Sequence, residues 1–196
     1  RNDTVVDPGF NQNLGDRYFA GLHGSHRLNA DWEASLRLSL TQLETSVDNN
    51  LFFNLAQPSG DLERFYFNGP TTLRNYQTTF TLTGHINTGV AKHTLLAGYD
   101  FFYLSTKFSG DNAVSAPPFN IFAPTFSNPA PVFDQGSFSG STAETWHGLY
   151  LQDQIELPYH IHLLAGARYD NTRGTDNQLG VTTYEEDRLS PRGGLL

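Results

Sequence analysis

The stretch WEASLRLSLT, Trp32 to Thr41, alternates without a slip. Trp32, Ala34, Leu36, Leu38 and Leu40 are apolar, and Glu33, Ser35, Arg37, Ser39 and Thr41 are polar. Successive side chains of a β-strand point to opposite faces, so this pattern makes one apolar face and one polar face. On a helix the two sets would be smeared around the circumference. Two environments suit such a strand. In a water-soluble sandwich the apolar face packs on a second sheet; in an outer-membrane barrel it meets lipid and the polar face lines the lumen.

The same alternation recurs along the chain. Tyr18, Ala20, Leu22 and Leu28 oppose Arg17, His23, Ser25 and Arg27. Tyr76, Phe80, Leu82 and Ile86 oppose Gln77, Thr79, Thr81, Thr83 and His85. Leu95, Ala97, Tyr99, Phe101 and Tyr103 oppose Thr94, Gly98, Asp100 and Thr106, and Ile161, Leu163, Ala165, Ala167 and Tyr169 oppose His162, Gly166, Arg168 and Asp170. Thr145 to Leu157 is less clean, because Trp146 and Tyr150 share a face with Gln152 and Gln154. A seventh strand is expected to begin near Arg188. The links alternate as well. Asn29-Ala30-Asp31, Asn87 to Lys92 and Pro158-Tyr159-His160 read as short turns; Ser46 to Leu73, Phe108 to Glu144 and Arg173 to Asp187 read as long loops. Short periplasmic turns and long extracellular loops are the rhythm of an outer-membrane meander. Long structureless loops are uncommon within compact soluble domains.

Composition narrows the function classes. A formal net charge of -8 argues against a nucleic-acid partner, whose phosphates demand a basic surface. Cysteine is absent, which removes disulfides and thiolate metal sites. No apolar run reaches the ~20 residues of a transmembrane helix, but barrel strands need only about 10 alternating residues each. Aromatic residues make up 13% of the chain. Trp32 stands beside a short turn, while Tyr18, Tyr76, Tyr99, Tyr103 and Tyr169 stand toward the long loops, as in the aromatic girdles of a barrel. The expected fold is therefore all-β: an antiparallel up-and-down meander of about seven strands, part of a transmembrane β-barrel. Residues 1–196 are expected to be one partial barrel domain, incomplete at both ends, with no plug.

Four segments carry a family resemblance: HTLLAGYDFFY (His93 to Tyr103), GLYLQDQIEL (Gly148 to Leu157), LLAGARYDNT (Leu163 to Thr172) and DRLSPRGGLL (Asp187 to Leu196). In order and spacing they resemble TonB-dependent siderophore receptors, the ferrichrome type in particular. The resemblance implies a Gram-negative outer-membrane receptor. Its barrel, around an N-terminal plug, would bind a ferric siderophore of hydroxamate type and import it with energy from TonB. The implied partners are the siderophore, the plug, TonB through the plug, and outer-membrane lipid. The iron stays within its chelator, so no cofactor is expected.

The loop Ser115 to Phe138 holds Phe119, Phe122, Phe126, Phe133 and Phe138 among five prolines. Proline limits the freedom of the unbound loop, and the rings suit a bulky, partly apolar chelate. Tyr66, in RFYFNG, adds a hydroxyl. Tyr66, Phe119, Phe122 and Phe126 are thus the candidate ligand contacts, set against a plainer role as loop packing. Arg37, Asp100, Arg168 and Asp170 fall on the polar faces, where they would line the lumen and contact the plug, or stand as solvated wall residues. His160 and His162 share a face but lack a third ligand nearby. Glu185-Glu186-Asp187 lacks the spaced oxygens of a calcium loop. GSFSG (Gly136 to Gly140) places its serines wrongly for a nucleophile elbow, so no enzyme is expected. The competing functions are a passive porin-like channel and a soluble β-sandwich binding domain. The face assignment is testable: Leu38→Arg should cost about 2–4 kcal/mol near the bilayer midplane, whereas Ser39→Arg should cost little. Unfolding from lipid vesicles, titrated with denaturant, measures both.

Overall fold

The computed structural model describes residues 12–52, 58–62, 64–113, 119–124, 132–133 and 135–195. Seven strands form one sheet in the order β1-β2-β4-β5-β7-β8-β9: β1 (Gln12–Arg27), β2 (Trp32–Phe52), β4 (Arg64–Thr88), β5 (Ala91–Ala113), β7 (Ser137–Leu157), β8 (Ile161–Asp176) and β9 (Val181–Leu195). Two short strands, β3 (Asp61–Leu62) and β6 (Phe119–Asn120), pair with each other in a second sheet. Each long strand neighbours the next long strand in sequence, as in the meander expected from the alternation. Contacts group into two units, residues 1–17, 43–73 and 106–141, and residues 18–42, 74–105 and 142–196.

The three short links are turns. Asn29 Oδ1 accepts hydrogen bonds from the backbone N–H of Asp31 and of Trp32, both at 2.9 Å, and so closes the first turn with its own side chain. Gly89, at φ 62°, closes the second. The third is a single 3-10 turn, Pro158–His160, in which Tyr159 and His160 both take positive φ.

The expected long link Arg173 to Asp187 is not a loop, and β9 begins at Val181 instead of near Arg188. Strands β8 and β9 extend into it and pair from Leu163↔Leu195 to Asp176↔Val181, leaving only residues 177–180 as a turn. Asp176 Oδ1 accepts from the N–H of Gln178 at 2.9 Å and of Leu179 at 3.0 Å, and Gly180 supplies a φ of 68°. The acidic run Glu185-Glu186-Asp187 hides the alternation of this strand. One bulge, between Gly174 and Thr175, adds a register shift. The other two long links also shorten, because β2, β4, β5 and β7 run 21, 25, 23 and 21 residues.

Register fixes the faces of β7, β8 and β9. Leu149↔Tyr169, Leu151↔Ala167 and Ile155↔Leu163 stand on one face, continued by Tyr169↔Leu189 and Leu163↔Leu195. Tyr150↔Arg168, Gly148↔Asp170 and Gln152↔Gly166 stand on the other, continued by Asp170↔Arg188 and Gly166↔Arg192. Trp146 and Tyr150 therefore belong to the polar face. Among the described residues nothing covers the apolar face: Leu149, Leu151, Leu189 and Leu195 are 56%, 60%, 65% and 72% exposed. Among the described residues only Tyr66, Phe119 and Ala143 are buried apolar side chains. A soluble sandwich would bury its apolar alternates; this face instead calls for an apolar surrounding. No described helix is long and apolar enough to cross a membrane.

The turn at residues 177–180 yields a prediction. Asp176→Ala removes both side-chain hydrogen bonds and should destabilise this hairpin by about 1 kcal/mol. Asp176→Asn, which keeps the acceptor oxygen, should lose less. Amide hydrogen exchange of Val181 to Tyr184 measures the difference.

Candidate functional site

On the polar face, the expected lumen residues Asp100, Arg168 and Asp170 come together. Arg168 Nη1 donates to Asp100 Oδ2 and Nε to Asp170 Oδ1, each at 2.7 Å. Asp100 lies on β5, whereas Arg168 and Asp170 lie two apart on β8, so the guanidinium spans β7, the strand between them. The carboxylate oxygens meet a planar fork of donors, the arrangement in which charge-assisted hydrogen bonds are strongest. Two glycines make the room. A Cβ on Gly148 would stand 2.2 Å from Arg168 Nη2, and one on Gly98 would stand 2.1 Å from the Tyr150 ring. Tyr150 thus lies down across Gly98, and the Arg168 guanidinium carbon sits 5.4 Å from the centre of its ring. Arg37 is exposed and stands outside this cluster. Tyr150 was missed from the sequence because its strand alternates imperfectly; the signal was Gly98 on the polar face of the neighbouring strand.

The apolar face also carries polar groups; His147 and Asp153 each meet a side chain of the neighbouring strand, although Asp153 Oδ1 is buried without a partner. His147 and Asp153 share the face of Leu149 and Leu151. The Tyr99 hydroxyl lies 2.8 Å from His147 Nδ1, and Phe101 packs 5.2 Å from the same ring. His93 Nδ1 lies 2.7 Å from Asp153 Oδ2, near the short turns. Pairing lowers the cost of placing such groups where water is scarce. Tyr76 and Tyr103, 5.7 Å apart, belong to the expected girdle.

In the unit of residues 43–73 and 106–141, three rings cluster that the sequence reading did not group. Phe138 packs 6.2 Å from Phe67 and 6.4 Å from Phe108. A Cβ on Gly110 would meet Phe138, and one on Gly140 would meet Phe108, so each ring rests on a glycine. Phe108 lies two positions beyond Thr106, which places it by alternation on the face read as polar.

The candidate ligand contacts divide. Tyr66 and Phe119 are 4% and 2% exposed, while Phe122 is 74% exposed. Phe126 lies outside the described residues. Phe119 sits in β6, which pairs with β3 through Leu62↔Phe119 and Asp61↔Asn120. Asn120 was overlooked, although its side chain makes four hydrogen bonds in this loop junction. Its Oδ1 accepts from the N–H of Phe122 at 2.9 Å and of Ala123 at 3.1 Å; its Nδ2 donates to Asp61 Oδ1 at 2.8 Å and Ser59 O at 3.0 Å. His160 and His162 have no third ligand among the described residues, where no group of three metal-ligating side chains occurs.

The family model for the TonB dependent receptor-like β-barrel matches residues 1–196. The chain belongs to that family. TonB-dependent receptor barrels are transport receptors, not enzymes, and reside in the outer membrane of Gram-negative bacteria. Among solved structures, the chain resembles BauA, the ferric preacinetobactin receptor from Acinetobacter baumannii, with TM-score 0.74 and 16% identity over 97% of this chain and 29% of that one. It also resembles the ferric-catecholate import receptor Fiu from E. coli K12 in its open form, with TM-score 0.66 and 15% identity over 92% and 32% of the two chains. The unliganded ferric citrate transporter FecA gives TM-score 0.65 and 15% identity over 98% and 26%. At such identities the likeness shows the fold, and this TonB-dependent receptor chain spans about a quarter to a third of these proteins. No curated protein sequence matches it.

The charge cluster yields a prediction for this receptor barrel. Arg168→Ala leaves Asp100 and Asp170 facing each other without their cation, and should cost about 1–3 kcal/mol. Arg168→Lys offers a point charge in place of the fork and should recover only part of that. Gly148→Val should displace the guanidinium and reproduce much of the loss with all three charges present. Denaturant titrations of the barrel in detergent measure the series.

Proposed function

We propose that the protein is an active outer-membrane receptor that binds a ferric siderophore at its extracellular loops and imports it with energy from TonB. The hydroxamate class is the one that the ferrichrome-type resemblance implies. The observation that carries the reading is strand length. Tilted barrel strands cross the hydrocarbon in about 10 residues. Strands β2, β4, β5 and β7 run 21 to 25 residues, so each has about as many residues left over as it needs to cross. Those surplus residues give the aromatic loops a paired wall beyond the membrane, where a solute can be held before it passes. A passive pore has no use for that height. Inside the hydrocarbon, Leu149, Leu151 and their neighbours meet lipid, and the cluster of Asp100, Arg168 and Asp170 lines the lumen wall against which a plug would seat.

The test is radioiron uptake by iron-starved cells expressing the full-length receptor, with ferric trihydroxamate, ferric catecholate and ferric citrate supplied separately. Saturable uptake of at least one chelate, strongest for the hydroxamate and lost when TonB is deleted, is the expected result. Non-saturable entry of small solutes that is indifferent to TonB would support the porin-like reading instead.

A further inference from the structure

We infer that Phe122 is the ring that touches the incoming ligand, that Asn120 positions it, and that Asp61 beside them selects a chelate with no net charge and an apolar shell. This rests on the reading of the protein as a siderophore receptor and says which of its rings does the binding and for which cargo.

Exposure separates the three candidates that fall within the described residues. Tyr66 and Phe119 are already covered by protein and have almost no surface to offer, whereas Phe122 is 74% exposed and Ile121 beside it 39%. An exposed ring on a floppy loop would lose much of its binding energy to ordering. Here the ring is fixed in advance. The Asn120 side chain holds the backbone of Phe122 and Ala123 on one side and Ser59 and Asp61 on the other, and Ile121 N–H donates to Gly60 O at 2.9 Å. Beneath the ring, Gly60 has φ 83°, and a Cβ there would stand 2.4 Å from Phe122 Cδ2. Any side chain at residue 60 would push the ring off its seat and strain the backbone as well.

What is presented is apolar surface next to one carboxylate. The Asn120 amide is spent on its own hydrogen bonds, and Ile121 and Phe122 offer no polar side-chain atom. Asp61 is part-buried and accepts from Asn120, and among the described residues no cation pairs with it. Three hydroxamate monoanions neutralise one ferric ion, and their alkyl backbones face outward. Catecholate and citrate complexes of iron keep negative charge, which the Asp61 carboxylate opposes. The junction therefore favours the ferric trihydroxamate.

Equilibrium binding of radioiron-labelled chelates to the full-length receptor in outer-membrane vesicles tests this. Phe122→Ala is expected to weaken ferric trihydroxamate binding about tenfold, the scale of a hot-spot ring, and Phe122→Tyr to restore it to within about twofold. Asn120→Ala is expected to weaken binding comparably with Phe122 still present, and Asn120→Asp, which retains the acceptor oxygen for Phe122 and Ala123, to recover part of the loss. Asp61→Asn, which keeps an oxygen to accept from Asn120 but removes the charge, is expected to narrow the preference for the hydroxamate over the catecholate or citrate complex severalfold. Equal barrel levels and unaltered heat-modifiable migration exclude misfolding as the cause. A receptor that binds ferric trihydroxamate equally well with Phe122→Ala overturns the inference and leaves the receptor reading standing. A receptor that binds none of the three chelates overturns that reading itself.

Discussion

Everything in this structure follows from a sheet whose apolar face, among the described residues, has no protein to lean on. Backbone groups are satisfied sideways, strand to strand, so the sheet needs no second layer to meet its hydrogen bonds. The apolar side chains then stand exposed in rows, with Leu149, Leu151 and Leu189 more than half uncovered. In water that exposure would be paid in aggregation; in hydrocarbon it is the ground state. Polar groups on that face obey the same constraint. His147 and Asp153 are each met by a side chain of the neighbouring strand, Tyr99 and His93.

With one face given over to lipid, the opposite face has to hold its own charges. It does so by placing large side chains over glycines. Tyr150 lies over Gly98 and Arg168 over Gly148, which lets one guanidinium reach two carboxylates across an intervening strand. The same device recurs among residues 106–141, where Phe108 lies over Gly140 and Phe138 over Gly110. A large group opposite a glycine fills space that two medium side chains would contest, and it pins the register of the pair. The glycines of this barrel wall are thus sockets. Replacing them would disturb their neighbours more than their own backbone.

Much of this was legible in the sequence. Alternation in Trp32–Thr41 and in Leu95–Tyr103 fixed strand identity and face, because each residue slip would exchange lipid for lumen. The short turns were legible through Asn29, Gly89 and Pro158. The turn after Asp176 was not, although Asp176 and Gly180 carry its chemistry, because three consecutive acids in β9 look like a solvated loop. Tyr150 escaped for a related reason: an aromatic on a polar face reads as broken alternation until the glycine across from it is seen. The loop rings could be nominated but not ranked. Burial of Tyr66 and Phe119 and exposure of Phe122 depend on the pairing of β3 with β6, two short strands that are distant in the chain and have no periodicity to announce them.

The central claim is that β2 turns its even-numbered side chains from Trp32 to Leu40 to hydrocarbon, as β7, β8 and β9 turn their odd-numbered ones. The chain has no cysteine, so single cysteines at residues 32–41 can each carry a nitroxide in the full-length receptor reconstituted in lipid vesicles. Collision with dissolved oxygen reports lipid, and collision with a water-soluble nickel chelate reports an aqueous or polar wall. The account predicts oxygen access at the even positions, nickel access at the odd ones, and a period of two between them. Even positions shielded from both reagents would mean that protein covers the leucines, and the membrane account would fail.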